Sequence, residues 1–338
     1  MNKSFAALGS SVFVVWLVLA AHSGSVAQTP DPLAPAFDAA ALLPRLQALV
    51  IAQHGEIRAE RRFRGPGLDS AVNIKSVSKS VISALVGIAI ERGKLSGVDQ
   101  AIAPFFAREL TKGHDPRLDQ ITIGNLLSMQ SGLVRTSGPG YGAWIGSSHW
   151  LQYVLRAPML ADPGGPMIYS TGNTHLLSAI LTRATKQSTF AFASRALFKR
   201  LGITLQPWVR DPQGIFMGGN EMRLSAHDLV RFGELYRMRG RYKGEQIIPE
   251  AWIDASWTPR TTSIFSGQAY GYGWFVAEIE QQRLYFAWGY GGQFIFIMPE
   301  LDLTVVTTSQ ATGPRDLDHL GEIFRIFRDL IVPVLRSR

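Results

Sequence analysis

Residues 76–90 read SVSKSVISALVGIAI, and this stretch governs how the rest of the sequence is interpreted. After its first five residues it is apolar almost all the way round a helical repeat, which is typical of a helix buried at the centre of a domain. We therefore predict a long helix from about Val77 to Arg92, ended by Gly93. The spacing of three residues places Ser76 and Lys79 on one face where this helix begins.

This serine–lysine pair is the first candidate for chemistry. A serine hydroxyl becomes a good nucleophile when a neighbour takes its proton, and a desolvated neutral lysine can be that neighbour. An apolar helix body would favour this by lowering the pKa of Lys79. The unpaired N–H groups at the helix start, that of Ser76 included, would lie near an oxyanion. The alternative is a serine that only begins the helix beside a solvated lysine.

A tyrosine offers a second polar group. Tyr169 follows the loop DPGGP at residues 162–166, which could hold it at the mouth of a cleft. A phenol in such a position can pass a proton to a leaving group. The alternative is a packed tyrosine at a loop-to-helix junction, with Thr171 or Asn173 capping the helix.

A glycine-rich segment, GYGGQ at residues 289–293, begins a strand pattern. Glycines at the start of an edge strand let a substrate approach the backbone closely. The backbone N–H of Gln293 would then complete an oxyanion hole. The alternative is a glycine-rich turn between two strands.

Strand patterns lie at both ends of the chain, and helical patterns lie between them. Residues 49–53 and 57–61 predict a hairpin, and several strand patterns follow residue 265 before a final amphipathic helix. From about 100 to 240 the periodicity is mainly helical. We expect an α+β fold in which an antiparallel sheet, completed by the N-terminal hairpin, is flanked by helices and carries an inserted helical subdomain at about 100–240.

The N-terminal residues have the pattern of an exported protein. Lys3 precedes a short apolar run, and Ser25-Val26-Ala27 supplies small residues before a cut, which predicts a signal peptide over residues 1–27. The alternative is a membrane anchor, although the run is shorter than the ~20 residues that span a bilayer. We therefore predict a linker at 28–39 and a domain at 40–335. We also expect a periplasmic or secreted location, with no stable membrane anchor after signal removal.

Composition and motifs exclude several classes of function. The formal net charge is +8, but the densest charged run, residues 60–64, is too short for a nucleic-acid footprint, so no nucleic-acid partner is expected. The chain has no cysteine, which removes disulfides, thiolate metal sites and cysteine nucleophiles. Metal-binding, phosphate-loop and dinucleotide motifs do not occur, so we expect no metal and no cofactor. The oligomeric state is left open.

Five segments occur in a recognisable order and spacing: residues 73–80 (NIKSVSKS), residues 123–133 (IGNLLSMQSGL), Tyr169-Ser170, Gly218-Gly219-Asn220 and Gly291-Gly292-Gln293. The set resembles the serine β-lactamase-related family, over about residues 40 to 335. That family groups class C β-lactamases, penicillin-binding DD-peptidases, esterases and 6-aminohexanoate-dimer hydrolases. The resemblance implies a β-lactamase/DD-peptidase-like fold.

The resemblance also implies roles for particular residues. Ser76 would be the acylated nucleophile, Lys79 its proton acceptor and Tyr169 a proton shuttle, with the order of Lys79 and Tyr169 as first base left open. Thr171 stands where the family has an asparagine, and Asn173 follows two residues later. Both are expected to contact substrate.

The sequence departs from the family at a second place. Tyr290-Gly291-Gly292, also expected to contact substrate, stands where the β-lactamases and DD-peptidases have Lys-Thr-Gly. Without that cation a substrate carboxylate would be poorly recognised there, unless another residue such as Arg223 supplies one. The esterase and 6-aminohexanoate-dimer-hydrolase branches are therefore more similar to this chain.

These observations predict an exported serine hydrolase that cleaves a small-molecule ester or amide through an acyl-serine intermediate. One alternative is a β-lactamase or DD-peptidase that acts on β-lactams or peptidoglycan. A second alternative is a catalytically silent cell-wall binding module of the same fold. The presence of Ser76, Lys79 and Tyr169 together argues against the silent module, which would not need all three.

Overall fold

The computed structural model describes Met1, residues 31–313 and residues 316–336. Contacts within the chain divide it into Met1–Asp31 and Pro32–Arg338, and the description below concerns the second unit. Apart from Met1, the predicted signal peptide lies outside the described residues, so export stays a prediction. No helix among those residues is long and apolar enough to cross a membrane.

Helices make up the larger share of the fold. They are α1 Ala34–Ala41, α2 Ser78–Glu91, α3 Ile123–Leu127, α4 Tyr141–Ile145, α5 Trp150–Leu155, α6 Thr171–Thr185, α7 Thr189–Ala196, α8 Ala226–Arg237, α9 Glu250–Trp257, α10 Leu317–Arg325 and α11 Val332–Arg336. A π-helical segment, Ile326–Ile331, joins α10 to α11. The helix predicted from Val77 to Arg92 is confirmed as α2.

Twelve strands are present in the described part of the chain. They are β1 Leu46–Gln53, β2 Glu56–Arg62, β3 Val72–Asn73, β4 Arg223–Leu224, β5 Arg241–Tyr242, β6 Glu245–Gln246, β7 Thr261–Thr262, β8 Ala269–Tyr270, β9 Phe275–Ile279, β10 Gln282–Gly289, β11 Gln293–Met298 and β12 Leu303–Ser309. Eight of them form one sheet in the order β2-β1-β12-β11-β10-β9-β8-β7. Neighbouring strands are antiparallel, as predicted, and the N-terminal hairpin completes one side of the sheet.

Both faces of this sheet are covered. Every residue of β11 and β12 is buried, and side chains of β12 point alternately into two cores, with Val306 in one and Val305 in the other. The first core includes α2 and much of the helical region, and the second includes α1 and the C-terminal helices. Burial on both faces explains why these strands read as continuous apolar runs.

Two predicted boundaries need correction. The linker predicted at 28–39 is wrong for residues 34–39, which belong to α1, because Phe37 and the small alanines pack into the second core. The helical insert predicted at about 100–240 is shorter at its C-terminal side. Helix α8 packs directly on the sheet, where a Cβ at Gly233 would lie 2.6 Å from Thr304 Cγ2.

Candidate active site

Ser76 lies in a tight turn immediately before α2. Lys75–Val77 forms a single 3₁₀ turn, and Lys75 has a left-handed backbone with φ of 51°. Asn73 Oδ1 accepts a hydrogen bond from the Lys75 N–H at 2.9 Å, and the Glu221 carboxylate binds both Asn73 Nδ2 (2.6 Å) and Lys75 Nζ (3.2 Å). A non-glycine residue in this conformation costs free energy. These contacts hold the turn and so fix the position of Ser76.

Lys79 lies one helical turn after Ser76 and is almost fully buried. Its Nζ is 3.0 Å from Ser76 Oγ, 2.7 Å from the Gly219 carbonyl oxygen and 3.3 Å from Thr171 Oγ1. Burial lowers the pKa of Lys79 to about 7, because the charged amine is desolvated. No carboxylate contacts Nζ within the described residues. A substantial neutral fraction is therefore available near neutral pH to accept a proton from Ser76.

Tyr169 closes the other side of the serine. Its ring centroid is 5.0 Å from Lys79 Nζ, and its edges pack against Phe265 and Tyr270 with centroid distances of 6.4 and 6.2 Å. This burial raises the pKa of Tyr169 to about 12, while a hydrogen bond with Ser76 acts in the opposite direction. Tyr169 is therefore a neutral phenol at physiological pH and can both donate and accept a hydrogen bond.

The start of α6 adds a hydroxyl next to the lysine. Thr171 Oγ1 hydrogen-bonds to Ser137 Oγ at 2.9 Å, and the Thr171 N–H donates to the same Ser137 oxygen at 2.9 Å. Ser137 therefore fixes the Thr171 hydroxyl where it contacts Lys79. Thr171 and Ser137 both line the cavity described below.

Asn173 does not reach the site. It is fully buried, and its Oδ1 accepts a hydrogen bond from Ser131 Oγ at 3.0 Å. Successive residues of an α-helix are rotated by about 100°, so a side chain two positions after Thr171 points to the opposite side. Of the two residues only Thr171 lines the cavity, and a substrate contact of Asn173 stays a prediction.

The opposite wall is the hairpin between β10 and β11. A Cβ at Gly289 would lie 2.4 Å from the Ile74 carbonyl oxygen, so only glycine allows this hairpin to approach the turn that carries Ser76. Tyr290 and Gly291 line the cavity. The Tyr290 ring is partly exposed, and its hydroxyl donates to the Gly313 carbonyl at 3.0 Å.

The last two residues of the predicted motif point elsewhere. A Cβ at Gly292 would lie 2.8 Å from Ser309 Oγ and 2.9 Å from His319 Nε2, on the face covered by α10. Gln293 is fully buried, and its side-chain amide donates to the Ser309 carbonyl (2.6 Å) and accepts from the Ser309 N–H (3.1 Å). Neither residue lines the cavity. The substrate contact expected of Gly292 and the oxyanion role of the Gln293 N–H both stay predictions.

These walls enclose one cavity of about 600 Å³, into which Ser76 and Tyr169 open. Of the aromatic residues Tyr270, Tyr272, Trp274, Trp288 and Tyr290, the last two line it. The other three, Tyr270, Tyr272 and Trp274, are buried core residues.

Several cavity residues were not identified from the sequence as functional, notably Lys75, Arg135, Ser137, Tyr141 and Phe265. Lys75 is adjacent to Ser76 in the 3₁₀ turn, whereas the other four come from segments distant from it in the sequence. No local pattern in the sequence marks them.

Comparison with known proteins agrees with this geometry. The profile of the Beta-lactamase family matches residues 41–325. The chain belongs to the beta-lactamase family. The match spans both walls of the cavity, from before the Ser76 turn to beyond the hairpin. A comparison with curated proteins finds no match for this family member.

Solved structures show that this beta-lactamase family member shares its fold with proteins of varied description. The "Putative 6-aminohexanoate-dimer hydrolase from Bacillus anthracis" is 20% identical with a TM-score of 0.72, over 87% of this chain and 79% of that one. "EstCE1, a hydrolase with promiscuous acyltransferase activity" is 20% identical with a TM-score of 0.71, over 87% and 97%. A penicillin-binding protein homologue from Caulobacter crescentus is 16% identical with a TM-score of 0.69, over 87% and 96%.

Proposed function

We propose that this protein is a serine hydrolase that cleaves a small ester or amide through an acyl-enzyme on Ser76. The observation that carries the proposal is the 3.0 Å contact between Ser76 Oγ and Lys79 Nζ, with a buried amine whose pKa is lowered to about 7. A nucleophile and a base within hydrogen-bond distance, at the edge of a cavity, form the arrangement that acyl transfer requires.

The pKa shifts favour Lys79 over Tyr169 as the first base. Near pH 7 to 8 a large fraction of Lys79 is neutral and able to take a proton, whereas Tyr169, with a pKa of about 12, keeps its own. Ser76 Oγ would attack the carbonyl carbon while its proton passes to Lys79 Nζ. Tyr169 would then pass a proton to the leaving alcohol or amine as the C–O or C–N bond breaks, and would recover one from the lysine.

Deacylation uses the same groups in the reverse direction. Water attacks the acyl carbonyl, its proton passes to the base, and the bond to Ser76 Oγ breaks as the serine recovers a proton. The negative charge on the carbonyl oxygen needs N–H donors. The Ser76 N–H beside α2 and the Gln293 N–H at the start of β11 are the proposed pair.

The hairpin wall supports an ester or amide over a β-lactam. Tyr290 occupies the position where β-lactam-binding relatives have a cation, and a charged hydrogen bond of about 1.5–3 kcal/mol is missing there. Short acyl esters and ω-amino amides are therefore expected to exceed cephalosporins and D-Ala-D-Ala peptides in kcat/KM.

The test combines covalent labelling with turnover. The wild-type chain should be labelled by a fluorophosphonate and should hydrolyse p-nitrophenyl acetate or butyrate at pH 8, and Ser76→Ala should abolish both. Ser83→Ala is the matched control, because Ser83 is a buried serine on the same helix that does not line the cavity. A folded wild-type chain with neither labelling nor turnover would contradict the proposal and favour a silent binding module.

A further inference from the structure

The cavity holds two basic residues from different loops, and they differ in how their charge is balanced. Lys75 Nζ is paired with the Glu221 carboxylate at 3.2 Å. Arg135 has no ion-pair or side-chain hydrogen-bond partner in residues 31–313 and 316–336, and its Nε is buried without an acceptor. A half-buried guanidinium with an unused donor on a cavity wall is an incomplete binding site for an anion.

The orientation of Arg135 is fixed by an aromatic ring. Its guanidinium carbon lies 4.7 Å from the centroid of Phe265, within the range of a cation–π contact. Phe265 in turn packs edge-on against Tyr169 at 6.4 Å. The two contacts place the guanidinium within about 11 Å of the catalytic tyrosine ring. The aromatic ring thus holds the guanidinium at the cavity wall without using its hydrogen-bond donors.

The backbone beside Arg135 leaves room for a ligand. Gly138 follows in the same loop with φ of 63°, and a Cβ there would lie 3.3 Å from one terminal nitrogen of the guanidinium. Pro139 also lines the cavity. Because Gly138 has no side chain, the terminal nitrogen of Arg135 is not covered from this side of the loop.

We propose that Arg135 binds a carboxylate carried by the substrate several bonds away from the scissile carbonyl. This inference rests on the proposed hydrolase function and specifies its substrate class. The substrates are esters or amides in which the acyl group, or the leaving alcohol or amine, carries a carboxylate. Guanidinium and carboxylate match in planar, two-point geometry. Arg135 thus supplies, from another part of the cavity, the cation that position 290 lacks.

Arg223, considered from the sequence as a source of this cation, does not fill the role. It is exposed, its guanidinium donates to the Ala71 carbonyl at 3.0 Å, and it does not line the cavity. It therefore provides a control residue of the same chemistry outside the site.

The test measures binding separately from turnover, using the full chain with Ser76→Ala. Monomethyl adipate and dimethyl adipate differ by one negative charge, and their affinities at pH 7.5 are measured by calorimetry or by quenching of tryptophan fluorescence. We expect the monoester to bind at least about tenfold more tightly than the diester. Arg135→Gln should remove this ratio, Arg135→Lys should keep part of it, and Arg223→Gln should leave it unchanged.

Two further ligand comparisons test where on the substrate the carboxylate must lie. Monomethyl succinate, with a shorter reach, should bind less tightly than the adipate. The 4-acetoxybutyrate anion and its methyl ester place the carboxylate on the alcohol side, so a ratio in either the acyl or the alcohol pair supports the proposal and tells which side is recognised.

Equal affinity for acid and neutral partner in both pairs, or an unchanged ratio in a folded Arg135→Gln chain, overturns the inference. Turnover of dimethyl adipate by the chain with Ser76 intact is read separately. A failure there counts against the proposed hydrolysis and not against Arg135.

Discussion

The two walls of the cavity are built in different ways. The wall of Ser76 and Lys79 is one continuous segment, a strained turn followed by a helix. The amine of Lys79 is buried there among hydroxyl and carbonyl oxygens, with no carboxylate within the described residues to pair with its charge. In the hairpin wall, Tyr290 and Gly291 line the cavity, the strands behind them pair in the ordinary way, and Gln293 binds the neighbouring strand. The first wall supplies the reactive groups and lowers the stability of the fold, whereas the second wall stabilises the sheet and shapes the cavity.

The largest effect should come from Lys79→Met, which keeps the length of the side chain and removes the base. We expect kcat/KM for an acyl ester to fall by about a thousandfold or more, in the range of a lost general base. The free energy of unfolding of the Lys79→Met chain should instead rise. The folded-state pKa of about 7 lies below the ordinary value of 10.5, so unfolding takes up a proton between these values and Lys79 lowers stability at neutral pH.

Thermal unfolding at pH 7.5 checks the second half of that prediction, with Lys94→Met, on the exposed loop after α2, as the control. A Lys79→Met chain that loses both activity and several degrees of Tm would show that the lysine is mainly structural.

Gln293→Ala should show the opposite pattern. Removing the amide deletes two buried hydrogen bonds to the Ser309 N–H and carbonyl, so we expect the free energy of unfolding to fall by about 2–3 kcal/mol. The backbone N–H of residue 293 remains, so kcat per folded molecule should stay within about twofold. Denaturant unfolding and active-site titration with a fluorophosphonate measure the two quantities. Gln310→Ala, which removes an exposed amide bonded to Thr312, is the control.

A large fall in kcat for folded Gln293→Ala would contradict the division between the walls. It would mean that the glutamine side chain takes part in the chemistry.

The pH dependence of kcat/KM tests whether Lys79 in the first wall is the base. Lys79 gains its neutral form as the pH rises through about 7, so kcat/KM should increase by roughly tenfold from pH 6 to pH 8 and then level off. Tyr169 keeps its proton until about pH 12 and should add no step below pH 9. A profile that is flat between pH 6 and 8 in a stable chain would remove Lys79 as the titrating base.

The smallest effect concerns Tyr290. Replacing it by lysine puts a partly exposed charge on the hairpin wall, and exposed ion pairs contribute at most about 1 kcal/mol. We expect Tyr290→Lys to raise kcat/KM for a cephalosporin by a few-fold, while Tyr290→Phe, which removes only the bond to Gly313, should not. Equal values for the two variants would show that the cation at this position does not decide the preference.

How far the sequence predicts this molecule differs between the two walls for a physical reason. Ser76 and Lys79 lie within one helical turn, so their contact follows from local periodicity. Asn173 and Gly292 do not line the cavity, because their placement depends on which way a helix face or a strand face points. Arg135 could not be found, because its environment is created by Phe265, a residue 130 positions away.

The pairing of β1 with β12 has a consequence for how the chain acquires its fold. Leu46 pairs with Ser309 and Gln53 with Leu303, so strands made early in synthesis have no partner on that side until residue 303 and beyond have emerged. The β1–β2 hairpin alone is too small to be stable. Closing so long a loop is slow, so folding of the sheet should follow synthesis instead of accompanying it. The nascent protein therefore lacks the completed sheet, and the cavity wall that β10 and β11 supply, until its last strands have been made.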